Sequence, residues 1–178
     1  MEDLYKYGSL IGAILLKAQE FKALDLKATD GYTINLDGSE YRGNGIAVAL
    51  VSTDMNLETD TWGDIRREAL RLLDRFTKLR LLDDRIKFGL FKFENQSIMS
   101  LDITMVVPPQ QLDLALQYSC WAGQKELWDY GREECIKTGT QFSEYRNLTD
   151  ADCVDITRSF EAGMLPVCVT DYQVREAA

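Results

Sequence analysis

The stretch RIKFGLFKFENQSIMSLDITMVV, residues 85–107, decides the fold class. Two runs rich in β-branched and aromatic residues flank the polar triplet Glu94-Asn95-Gln96, the pattern of an antiparallel hairpin. In the second run Met99, Leu101, Ile103, Met105 and Val107 alternate with Ser100, Asp102 and Thr104. Successive strand side chains point to opposite faces, so this sheet is expected to have one apolar face and, at least locally, one wet face.

Upstream, TWGDIRREALRLLDRFTKLRLL carries Trp62, Ile65, Ala69, Leu72, Phe76 and Leu79 at helical spacing. Thr61, followed three residues later by Asp64, resembles a capping box at its start. Before it, IAVALV (46–51) is apolar on both faces and reads as a central strand, and YTINL (32–36) alternates as a second one. Leu4, Tyr7, Ile11, Ile14, Ala18 and Phe21 predict an amphipathic first helix. Downstream, Pro108-Pro109 opens a long helix predicted to run to about Ile136, with a stripe of Leu112, Leu116, Cys120 and Leu127 and a bend at Gly123 and Gly131. A last helix starts at Thr149, with Asp152 three residues on and Gly163 as its stop. LPVCVTDY (165–172) then adds an edge strand. The fold class expected is α+β, a largely antiparallel sheet of about four to five strands flanked by four helices, in the order α-β-β-α-β-β-α-α-β. With no repeat, low-complexity segment or linker, residues 1–178 are expected to form one domain.

Three glycines in LDGSEYRGNGIAVALV (Gly38, Gly43, Gly45) invite a phosphate-loop reading. A phosphate loop needs GxxxxGK[ST] running into a helix, whose N–H groups meet the anion. Here Asn44-Gly45 stands where Lys-Ser/Thr belongs, the GxGxxG fingerprint fails at Val48, and a strand pattern follows. Asp37-Gly38 suits a tight hairpin and Gly43-Asn44-Gly45 a bulge or turn, so the loop is expected to turn the chain.

The 178 residues hold no histidine, which removes Ser-His-Asp and Cys-His pairs, the HExxH metal site and the side chain that most often moves protons near pH 7. Chemistry here must use carboxylates, Lys, Tyr, Cys or a carboxylate-bound metal. Cys120, Cys135, Cys153 and Cys168 lie too far apart for the paired spacing of structural zinc, and reduced, mostly buried thiols are expected. No apolar run suffices to cross a bilayer, and the acidic start MED does not suit a signal peptide. A cytoplasmic protein without cofactor is therefore expected, and the sequons at Asn95 and Asn147 are taken as chance matches.

Residues 66–92 carry nine basic side chains against four acids, a window of net +5 in a chain of net −9. Arg67, Arg71 and Arg75 share one helical face and could receive a phosphate-bearing ligand, although pairing with the chain's own acids explains them as well. Asp150, Asp152 and Asp155 could share Mg²⁺, against the plainer role of acids in a first helical turn. Asp83 and Asp84, between a helix and a strand, suit a turn better than a metal. On the expected long helix, Tyr118, Trp121 and Trp128 fall nearly on one face, either as core or as a protein-contact row.

Two functions follow. The first, favoured by the acidity and the missing histidine, is a non-catalytic regulatory or interaction domain, an inhibitor, immunity-type or adaptor protein with a protein partner. The second is a small Mg-dependent enzyme or ligand-sensing domain recognising a phosphorylated small molecule through the Arg face. Nucleic acid is disfavoured by net charge, and a homodimer is expected from the unpaired last strand.

Overall fold

A computed structural model describes residues 7–81 and 83–170. In chain order the elements are α1 (Gly8–Ala23), β1 (Asp30–Ile34), β2 (Ile46–Asn56), α2 (Trp62–Arg80), β3 (Ile86–Lys92) and β4 (Ile98–Val107). A 3-10 turn, Pro109–Gln111, leads into α3 (Leu112–Ala122), and then come β5 (Glu126–Asp129), β6 (Glu134–Lys137) and α4 (Asp150–Glu161). The strands form one six-stranded sheet in the order β1-β3-β4-β2-β5-β6, antiparallel throughout. The protein is α+β, with a largely antiparallel sheet flanked by helices.

The alternation of β4 works as expected on one side. Met99, Leu101, Ile103, Met105 and Val107 are buried with Phe88, Val48 and Ile46 under α1 and α2, which contribute Leu10, Ile14, Phe21, Ile65, Leu72 and Phe76. Phe76 and Phe88 meet edge to face at 5.9 Å, the geometry preferred by ring quadrupoles. Both long cap signals are realised: Thr61 with Asp64, and Thr149 with Asp152, each exchange backbone and side-chain bonds as capping boxes. The glycine loop turns the chain: Gly38 (φ 86°) and Gly45 (φ 134°) take the left-handed region and β2 starts directly after Gly45.

The segment after α3 departs from expectation. The helix ends at Gly123, whose φ of 84° makes it a left-handed C-cap. A Cβ there would stand 2.3 Å from the Glu144 carbonyl oxygen, so the position also admits the returning loop. Glu126–Asp129 and Glu134–Lys137 then pair as a hairpin rather than continuing the helix. Asp129 Oδ1 accepts from the N–H groups of Gly131 (2.8 Å) and Arg132 (3.2 Å) to close its turn. From Leu112 to Glu161 the order is therefore α-β-β-α, where a single long helix followed by another was expected. Within the expected final strand, Val167–Thr170 is helical, while Asp171 and Tyr172 lie outside the described residues, as do Leu4 of the first stripe and Leu82. Strand β1 also sits two residues earlier than YTINL suggested, at Asp30–Ile34.

Candidate functional site

The sheet face opposite the core is where the expected wet surface should lie. Instead Ser100, Asp102 and Thr104 are only 3%, 8% and 4% exposed. They form the floor of a cavity of about 230 Å³, room for a small organic molecule rather than one water. Its walls come from β1 (Gly31, Thr33), β3 (Gly89, Phe91), β5 (Trp128) and the segment around Tyr145.

A bulge in β2 aims this floor. Ala49 pairs with Thr104 and Val51 with Ile103, so Leu50 is an extra residue that shifts the phase of the strand. Before it, Ala47 and Ala49 line the cavity, and after it Ser52 and Asp54 do. With the alternation unbroken through Leu50, Val51 instead of Ser52 would stand opposite Asp102. The bulge is held from the side. Strand β5 pairs with β2 only at Ile46 and Ala47, which leaves the next backbone groups for side chains. The Ala49 N–H donates to Gln124 Oε1 (3.0 Å), and its carbonyl accepts from the hydroxyls of Tyr118 (3.0 Å) and Tyr145.

Asp102 is the centre of the floor. Ser52 Oγ donates to its Oδ1 at 2.6 Å and Ser100 Oγ to its Oδ2 at 2.9 Å. Burial nevertheless dominates, and with a smaller push from Asp54 it raises the carboxyl from 3.8 to about 7, against the two serines. A group that titrates there can accept or release a proton at neutral pH, the task histidine usually performs. The histidine deficit thus restricts this chain less than its composition implied. At the mouth stand Asp54, Lys125 and Glu144. Partial burial raises the Asp54 carboxyl and Lys125 opposes that. Glu126 is raised in the same way by burial. Aromatic rings complete the wall: Trp128 and Tyr130 meet edge to face, as do Phe91 and Phe93. Burial also raises the Tyr130 and Tyr145 hydroxyls, which stay protonated donors.

The side chains singled out from the sequence lie elsewhere, with one exception. Arg67 pairs with Asp64, Arg71 holds Glu68 and reaches Thr53 Oγ1 at 3.2 Å, and Arg75 binds Asp150 and the Leu148 carbonyl. None of the three lines the cavity. Asp150 is thus an ion-pair partner, Asp152 is the capping-box acid, and Asp155 is exposed. Asp83 is held by Arg85, with contacts down to 2.5 Å. Among the described residues no group of three or more Cys, Asp or Glu is placed to hold a metal ion. Cys153 is buried, with its thiol pushed up to about 11 by burial, and all four cysteines are free. The aromatic row does not exist as such, because the helix stops at Gly123. Tyr118 is fully buried, Trp121 is half-buried beneath the Arg146 guanidinium at 4.8 Å, and Trp128 belongs to β5. Trp128 is the exception, since it lines the cavity.

What sequence reasoning missed is Asp102 and its serines. The signal was present: an acid flanked by hydroxyls on the polar side of an otherwise apolar strand. Polar residues on an outer strand face ordinarily meet solvent, so the alternation alone could not separate a solvated face from a covered one. The chain matches no known family, curated protein or solved structure.

Proposed function

We propose that this protein binds a small organic molecule in the cavity on the sheet face opposite the α1–α2 core, as a ligand-sensing domain or as an enzyme that moves a proton through Asp102. The observation that carries the reading is Asp102 itself. An acid is rarely buried without a cation or metal beside it, and here it lies at the floor of a cavity walled by aromatic rings. Ligand sites are usually concave, with polar groups converging on the space they enclose. A carboxyl raised by desolvation inside one is a mark of functional sites. The reading shares its ligand-sensing class with the second function expected from the sequence, but draws on different residues.

The test is a fragment screen followed by ¹H–¹⁵N NMR. Bound fragments are expected to shift the amides of Gly31, Gly89, Asp102 and Gln124 and to quench Trp128 fluorescence. Fragments that bind only at other surfaces, or a library that yields none, would remove the proposal.

A further inference from the structure

We propose that the cavity selects small organic amines, with the ammonium group on the Asp102 carboxylate and the hydrocarbon body against the rings of Phe91 and Trp128. The inference rests on the cavity being a ligand site and names the class of ligand.

Hydrogen-bond polarity at the floor is the first support. Ser52 and Ser100 both direct their protons onto Asp102, so what these three side chains still offer to the cavity is lone pairs. An ionised carboxylate has about four acceptor positions, of which the serines occupy two. An ammonium is the complement, with three donors and no acceptor. A phosphate or carboxylate ligand would bring acceptors to acceptors.

Charge is the second support. The charged side chains facing the cavity are Asp54, Asp102, Glu126 and Glu144 against Lys125. Lys125 and Glu144 stand exposed at the mouth, whereas Asp102 is buried beneath them. The potential inside is therefore set by the acids, and a cation entering it would favour the ionised Asp102 that burial alone disfavours. The rings are the third support: an aromatic face attracts a cation and also packs against a hydrocarbon chain. The cavity, at about 230 Å³, suits one ring and a short chain.

The decisive measurement compares three ligands of matched chain length on the unaltered protein by NMR titration: 3-phenylpropan-1-amine, 3-phenylpropan-1-ol and 3-phenylpropanoate. The amine is expected to bind about tenfold tighter than the alcohol, as a charge-assisted hydrogen bond does over a neutral one, with no saturable binding of the carboxylate. Asp102→Asn, close to isosteric, should weaken the amine by about tenfold and leave the alcohol within about twofold. Lys125→Met should tighten the amine. If alcohol or carboxylate binds in the cavity as tightly as the amine, or Asp102→Asn leaves the preference unchanged, the amine assignment is wrong while the cavity remains a ligand site. If neither these ligands nor the fragment library moves a cavity resonance, the ligand-site reading fails as well. The three-ligand comparison needs no variant, so it stands even if a substitution impairs folding.

Discussion

Lys92 and Asp102 are buried ionisable side chains of opposite sign on opposite faces of the sheet, and the two are treated differently. On the helix-covered face Lys92, 2% exposed, directs Nζ at the carbonyls of Asp25 (3.2 Å), Leu26 (3.4 Å) and Ala28 (2.8 Å). An ammonium has three donors, so its hydrogen-bonding capacity is used up in tying the α1–β1 connection to the sheet. On the other face Asp102 uses about half of its acceptor capacity on Ser52 and Ser100, and the remainder is directed at a cavity. A buried charge with every bond made is a structural fastener. One with capacity left, facing open volume, is a binding group. The same contrast appears in the packing: one face is a close-packed apolar core, the other holds hydroxyls and rings around a space.

Substitutions that treat neighbouring residues of one strand as reporters can break this contrast. Phe88→Ala, on the core face, should cost about 3–5 kcal/mol in urea unfolding, as for any large buried ring. Phe91→Ala, three residues on and facing the cavity, should cost less than half of that. Equal losses would mean that the cavity face is packed like a core. Lys92→Met should cost about 3 kcal/mol, because three inward carbonyls lose their donor; a neutral result would show that water replaces it.

Asp102→Asn sharpens the contrast through pH. Burial raises the folded-state carboxyl from 3.8 to about 7. Between those values the folded chain keeps a proton that the unfolded chain has released. Wild-type stability should therefore fall as pH rises from about 4 to about 7 and then level off. The variant lacks this slope, so it should equal wild type near pH 4 and exceed it near pH 8. The rise from 3.8 to about 7 bounds the gain at about 4 kcal/mol. Parallel melting curves of the two proteins across this range would contradict a raised Asp102. Tyr145→Phe should have the smallest effect, about 1 kcal/mol, because Tyr118 still bonds the Ala49 carbonyl. A larger loss would show that the bulge depends on both hydroxyls.

Much of the fold was legible because its signals are local. The β3–β4 hairpin, both capping boxes and the turning glycine loop each follow from a few adjacent residues. The α3 segment misled for a physical reason. Leu112, Leu116, Cys120 and Leu127 fit one helical stripe, yet Leu127 also fits the alternation Glu126-Leu127-Trp128-Asp129 of a short strand. Gly123 was legible as an interruption but not as an end, since what requires its missing Cβ is the backbone of Glu144, twenty-one residues away. The charged candidates were legible as clusters, but pairing within the chain is invisible in one dimension: Arg75 and Asp150, offered as parts of an anion and a metal site, are partners of each other.

By itself the sequence determined that the sheet is antiparallel, which residues of β4 share a face, and that Asp102 lies among hydroxyls on the polar one. Periodicity carries that much, because side-chain direction along a strand depends only on position. Only the tertiary structure decided that this face is covered. The Leu50 bulge turns Ser52 inward, the Gly123 stop frees β5 and β6 to extend the sheet, and Tyr145 packs across Ala49. Burial is a property of what the rest of the chain brings near a residue, and burial is what changes Asp102 from an ordinary surface acid into one that titrates at about 7.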